Sequence, residues 1–226
     1  MNNIAEQLQL AYHNITQKCR QLAVNNAQLV AVSKTKPVAA IEQAYQAGQR
    51  QFGENYPQEL AEKVAALSQH TDITWHFIGP LQSNKTKLIA ENAHWLHSLD
   101  RLKIASRLSE QRPAHLPPLN VLLQVNISAE QSKAGVAPDE VNELTRQVNT
   151  LPGLTLKGLM AIPAPGQSEA AFAAMQQLSL SLQQQYPHAT ELSMGMSDDW
   201  ALALRYGATM IRLGTAIFGA RDYHKE

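Results

Sequence analysis

Eight short apolar runs alternate along this chain with stripes of apolar residues at three- and four-residue spacing, and a repeated βα unit is what that alternation predicts. The runs fall at 29–33, 51–55, 75–78, 95–98, 119–126, 154–162, 191–193 and 210–213. Val38, Ile41, Ala44 and Tyr45 form the first intervening stripe, stopped by Gly48, and helical patterns follow at 57–68, 83–91, 100–111, 138–149, 168–185 and 198–206. Neither a charge run nor a Gly/Ser linker interrupts the series. Eight parallel βα units close into a (β/α)8 TIM barrel, here one domain over residues 1–226. A doubly wound sheet of five or six strands would leave two strands unplaced. It also calls for a G-x-G-x-x-G turn after the first strand, where this chain has Ser33-Lys34-Thr35-Lys36-Pro37. Ahead of the barrel, Ile4, Leu8, Ala11, Tyr12, Ile15 and Cys19 lie on one face of an extra N-terminal helix.

Composition removes several classes of function. Lys plus Arg and Asp plus Glu are 19 each, so no net field draws in a polyanion, and nucleic acid is not an expected partner. A polar N-terminus without an apolar core, and the absence of any run near the ~18 apolar residues of a spanning helix, argue against secretion and membrane insertion. The single cysteine cannot form an internal disulfide; Cys19 reads either as a small buried apolar residue or as a reactive thiol, in a reducing compartment. The expected location is the cytoplasm. The eight histidines are scattered without metal-ligand spacing, and Gly195-Met196-Ser197 is followed by Asp-Asp rather than the x-Gly of a nucleophile elbow.

In such a barrel the chemistry sits at the C-terminal ends of the strands. Alternation directs Val30, Val32 and Lys34 inward. A buried lysine must pair with an acid, lose its proton, or be consumed as an imine with an aldehyde, and a neighbour such as Lys36 favours the neutral amine. The seventh strand runs into Ser193-Met194-Gly195-Met196-Ser197-Asp198-Asp199 and the eighth into Arg212-Leu213-Gly214-Thr215. Loops after these two strands commonly bind phosphate, with glycine admitting the anion and hydroxyls such as Ser197 and Thr215 donating to it. The competing reading of Ser197-Asp198-Asp199 is a helix cap. Gly214 to Gly219 has P-loop glycine spacing, but Ala220-Arg221 replaces the nucleotide-holding Lys-Ser/Thr. Inward-pointing Arg212 would bind an anion, donate to a ring nitrogen, or pair with a barrel carboxylate such as Glu54. Asn55 and His76, at the ends of the second and third strands, either orient a ligand or, for His76, pack as a hydrogen-bonded core residue.

At these positions the sequence resembles the pyridoxal phosphate (PLP) homeostasis proteins, relatives of the N-terminal barrel of alanine racemase, and their bacterial members in particular. The matching stretches are Ala31-Val-Ser-Lys-Thr-Lys-Pro37, Phe52-Gly-Glu-Asn-Tyr56, Trp75-His-Phe-Ile-Gly-Pro-Leu-Gln-Ser-Asn-Lys85, Gly158-Leu-Met-Ala-Ile-Pro163, Ser193-Met-Gly-Met-Ser-Asp-Asp199 and Arg212-Leu-Gly-Thr-Ala-Ile-Phe-Gly-Ala-Arg221. The resemblance implies that Lys34 holds PLP as a Schiff base, that Ser197, Gly214 and Thr215 hold its phosphate, and that Arg212 faces the pyridine nitrogen. It implies that Asn55, Met194, Ser193, His76 and Ile78 line the ring. Pro57 after Tyr56 departs from the pattern and is expected to shorten the start of the next helix.

Alanine racemase carries a second, β-rich domain whose tyrosine acts as an acid/base across a dimer. This chain ends at Glu226, a few residues past the loop after the eighth strand, so that domain is expected to be absent; the protein is expected to be a monomer. An arginine cannot accept the ring nitrogen's proton in the way a carboxylate would, which weakens carbanion stabilisation. The resemblance therefore implies a non-catalytic carrier that stores, buffers or delivers PLP, with effects across amino-acid and keto-acid metabolism and transient contact with apo-PLP enzymes. A PLP-dependent racemase is the alternative. Lys133, in the loop after the fifth strand, is either a solvated lysine or a relay that takes the aldehyde by transimination.

Overall fold

The structure, a computed structural model, describes residues 3–128 and 134–220. Helix α1 (Ile4–Leu22) starts where the Asn3 side chain accepts the Ala5 and Glu6 amides. It stops at Ala23, left-handed at φ 53°, where the Ala23 and Val24 amides close back on Arg20 and Cys19. There follow β1 (Gln28–Val32), α2 (Val38–Gln46), β2 (Gln51–Glu54), α3 (Pro57–Ala66), β3 (Thr74–Phe77), α4 (Thr86–Asn92), β4 (Trp95–Leu99), α5 (Leu102–Gln111) and β5 (Leu119–Gln124). The chain continues with α6 (Val141–Val148), β6 (Leu154–Met160), α7 (Ser168–Gln185), β7 (Glu191–Ser193), α8 (Trp200–Arg205), β8 (Met210–Leu213) and α9 (Thr215–Phe218). The strands pair in chain order, all parallel, and β8 closes on β1 with Val30 opposite Arg212, which is the barrel the alternation requires. Pro57 opens α3 at its first helical position, where its missing N–H costs nothing, so the expected shortening does not occur.

Two compartments follow from the period of two in each strand. Outward-facing residues such as Leu29, Ala31, Phe52, Phe77, Leu96 and Val121 join the buried faces of the helices, including Leu8, Ala11, Ile15 and Cys19 of α1, in one continuous core. Inward-facing Leu122, Met160 and Met210 form a separate small plug with Trp95 and Ile162 beside them. Beside inward Val30 and Val32 the interior carries polar residues: His76, His97, Ser193 and Arg212 are buried there. Register shifts between β4 and β5 and between β5 and β6 accommodate this filling. Gly158 sits in the second of them at φ 149°, with the Glu191 carbonyl oxygen only 1.9 Å from where a Cβ would lie.

Candidate functional site

The strand ends bring the expected residues to one mouth. Lys34 follows β1 by two positions and is half-buried; Ser33 still donates its amide to Gly53, so the ladder holds up to the residue before the lysine. Gly53 leaves room inside the barrel that Val30, Val32 and Ile78 approach, since a Cβ there would lie 3.0 to 3.5 Å from their side-chain atoms. Asn55 comes next after β2. Its Oδ1 is buried and has no hydrogen-bond partner, an arrangement that costs free energy unless something else supplies a donor.

Arg212 lies on β8 at the base of the mouth, 4% exposed. Its Nη1 donates to Ser193 Oγ at 2.6 Å and its Nη2 to the Ala161 carbonyl at 3.1 Å. Burial pulls its pKa down to about 10, with Asp199 acting the other way, so at neutral pH the guanidinium stays charged. The expected alternative, an ion pair with Glu54, does not occur. On β2 the inward residues are Gln51 and Gly53, so Glu54 falls on the outer face, where its Oε1 takes Lys63 Nζ at 2.8 Å and Ser33 Oγ at 2.6 Å.

The loops after β7 and β8 leave hydroxyls available. Asp199 receives the Met196 amide at 2.8 Å and the Ser168 hydroxyl at 2.8 Å, so the aspartate half of Ser197-Asp198-Asp199 serves the turn. Ser197 and Thr215 are exposed, and among the described residues neither hydroxyl has a protein partner. Gly195, at φ 94° with the Ala203 Cβ 2.7 Å from its own would-be Cβ, holds the first loop against α8. Thr215 opens α9, whose first amides have no partner one turn earlier within the helix. Four residues of helix were too short to register as a hydrophobic stripe.

Two expected ring-lining residues are placed differently. Met194 is fully buried and belongs to the core between sheet and helices, with Leu192, Ala203 and Ile211. Its side chain does not line the mouth, because Ser193 takes the inward position and Met194 the outward one. His76 has both ring nitrogens engaged, Nδ1 with His97 Nε2 at 2.9 Å and Nε2 with Gln51 Oε1 at 2.8 Å. It therefore reaches the site only through His97, whose Nδ1 meets Ser193 Oγ at 2.8 Å. Sequence reasoning missed His97, although its place two residues after Trp95 on β4 put it inward beside His76. Lys133 lies outside the described residues.

These contacts define one direction of donation. Arg212 can only donate, so Ser193 Oγ accepts from it and gives its own proton to His97 Nδ1. His97 then donates from Nε2 to His76 Nδ1, and His76 from Nε2 to Gln51 Oε1. Both imidazoles are neutral in this chain. Burial holds His76 down at about 3, helped by His94, and burial, then His76 and Arg212, hold His97 well below its ordinary value. Depressed histidines stabilise the fold above their unfolded pKa near 6.5, and that stability is lost as pH falls below it, because the unfolded chain then binds the extra protons. His76 alone contributes a loss of about 2 kcal/mol between pH 7 and pH 5. In urea unfolding, His76→Gln should lower this pH dependence by that amount; an unchanged dependence would mean that His76 takes up its proton in the fold as readily as in the unfolded chain.

A PLP molecule fits what these residues offer: a lysine at the rim, a buried amide oxygen without a donor, a buried cation with no carboxylate in hydrogen-bond contact, and unengaged hydroxyls in the loops after β7 and β8, the second next to a glycine whose would-be Cβ lies 3.2 Å from the Val32 carbonyl. Among the described residues no group of acids, histidines and cysteines could hold a metal, and no helix is long and apolar enough to cross a membrane.

The sequence model of the family described as "Alanine racemase, N-terminal domain" matches residues 7–222. The pyridoxal phosphate homeostasis protein of Pasteurella multocida is 54% identical over 99% of this chain and 98% of its own. That of Haemophilus influenzae is 52% identical over 98% and 97%. Among solved structures, PipY of Synechococcus elongatus with PLP bound is 39% identical, covers 96% of this chain and 100% of that chain, and superposes with a TM-score of 0.83. The same protein without PLP gives 40% identity and a TM-score of 0.86 at the same coverage. Alanine racemase from Corynebacterium glutamicum, at 15% identity and a TM-score of 0.69 over 100% of this chain and 62% of that chain, shares the fold.

Proposed function

The chain belongs to the pyridoxal phosphate homeostasis protein family, and on that premise we propose that it binds PLP at the C-terminal mouth of the barrel and holds it for storage, buffering or delivery. Bound PLP supplies an aldehyde that an amine can capture and a ring that withdraws electrons. Lys34 is the capturing amine. Ser197, Gly214 and Thr215 hold the phosphate, and the amide oxygen of Asn55 accepts a hydrogen bond from the ligand or its water. Ser193, His97 and His76 set the orientation of Arg212, and Ile78 and the Met194 peptide border the ring. The protein acts as a monomer that meets apo-PLP enzymes transiently.

The observation that carries the holding role is Arg212. Its guanidinium is buried, oriented by Ser193 and the Ala161 carbonyl, and charged. Facing the nitrogen of a bound ring, it would donate a hydrogen bond and would leave no proton there, which would keep the ring a weak electron sink. The other reading, a racemase, would gain from a stronger electron sink than this arginine offers. The two separate in deuterium oxide: with the loaded protein and each common amino acid, α-proton exchange should proceed no faster than with the same concentration of free PLP, while an apo-PLP enzyme recovers activity on mixing. Exchange well above the free cofactor would make this an enzyme.

A further inference from the structure

Helix α3 reaches back to the end of β1 with two side chains one turn apart, and they grip the peptide groups on either side of Lys34. Lys63 Nζ donates to the Ser33 carbonyl at 2.8 Å, and Glu59 Oε1 accepts the Thr35 amide at 2.6 Å. The two are bonded to each other at 2.7 Å, and Lys63 also meets Glu54 Oε1 at 2.8 Å. The three protons of the Lys63 side chain thus have three acceptors, which offsets the cost of burying a lysine only 4% exposed. Between the gripped peptides the chain turns sharply. Thr35 has φ 62°, a left-handed conformation that a β-branched residue adopts only when its surroundings over-determine it. The same helix begins just after Asn55, so one rigid element ties the buried amide of the mouth to the turn that carries the lysine.

We propose that Glu59 and Lys63 are positioning residues for Lys34: they hold the strained turn at Thr35 and so fix the direction from which the lysine amine meets an aldehyde. This rests on the reading of Lys34 as the capturing amine. A plain i,i+4 surface pair would have no such consequence, because its members would face water. Here Lys63 is on the buried face of α3 with Leu60, and Glu59 is bonded to a backbone amide. Preorganisation of this kind governs how fast a reacting pair meets in the right geometry, and its loss leaves anion binding at a distant loop untouched.

The test uses pyridoxal, which has the aldehyde without the phosphate, and traps the imine on the full-length protein with borohydride at timed intervals, mapping the label by peptide mass. Inorganic phosphate affinity and the urea midpoint are measured alongside. Glu59→Leu leaves Lys63 paired with Glu54 and removes the acceptor of the Thr35 amide, whereas Glu59→Gln keeps an acceptor oxygen there. With Glu59→Leu, labelling at Lys34 should slow by about tenfold or more while phosphate affinity is unchanged. Glu59→Gln should recover most of the rate. Labelling at Lys34 that is equally fast in wild type and Glu59→Leu would overturn the positioning role, as would a loss in Glu59→Leu that tracks the urea midpoint and is not recovered by glutamine. Wild-type label on a lysine other than Lys34 would instead overturn the reading of the site on which the proposal rests.

Discussion

Lys34→Ala should abolish the visible imine absorbance of the PLP-loaded protein and weaken PLP retention by about a hundredfold or more, the loss of a covalent bond formed at high effective concentration. On the proposed reading the phosphate contacts at the loops after β7 and β8 and the contact to Arg212 would remain, so equilibrium dialysis should still detect binding in competition with inorganic phosphate. The fold should not notice. Lys34 is half-buried at the rim, beyond the last residue of β1, and truncating such a side chain is expected to change stability by no more than about 0.5 kcal/mol. A variant that keeps both the absorbance and the affinity would place the imine on another lysine.

The second large effect is expected at a residue that touches no ligand. Gly79 follows β3, and a Cβ there would lie 2.2 Å from the Asn55 carbonyl oxygen and 2.8 Å from its carbonyl carbon and Cα. On the other side its own carbonyl accepts the Ser98 hydroxyl at 2.5 Å, so the glycine cannot back away without breaking a buried hydrogen bond. Gly79→Ala must therefore push the Asn55 segment outward. Overpacking of this kind costs about 1–3 kcal/mol. The displaced Asn55 should carry a further penalty of about tenfold or more in PLP affinity, since misplacement by an ångström is costly at a preorganised site. Gly48→Ala is the control: at φ 100° with open space around it, it strains the backbone by about 1–3 kcal/mol and should leave PLP affinity alone. If the two variants lost affinity equally, general destabilisation and not the Asn55 contact would be responsible.

The barrel was legible in the sequence because period-two runs and helical stripes are set by burial, and burial is what closes the fold. Strand β8 falls where the apolar run 210–213 puts it, and β1 is offset by one residue, at Gln28–Val32. What periodicity could not supply is the pairing of polar groups across strands. The suggestion that Arg212 pairs with Glu54 failed against an argument already available, since the inward place of Gly53 sends Glu54 outward to Lys63. Met194 was likewise assigned to the mouth by motif position, where alternation from Ser193 places its side chain in the outer core. His97 and the Glu59–Lys63 grip depend on register between neighbouring elements, and one sequence carries no direct record of register. Lys63 did leave a trace: it falls three residues after Leu60, on the stripe that α3 buries, where a lysine needs partners.

Capture of PLP by Lys34 at the barrel mouth can be read from the position of a reduced adduct. The full-length protein is loaded with PLP, reduced with borohydride, digested, and the pyridoxyl group located by mass. A single modified peptide is expected, with the label on Lys34. Label on Lys36 or Lys63, or a protein that binds PLP and yields no reducible adduct, would contradict it.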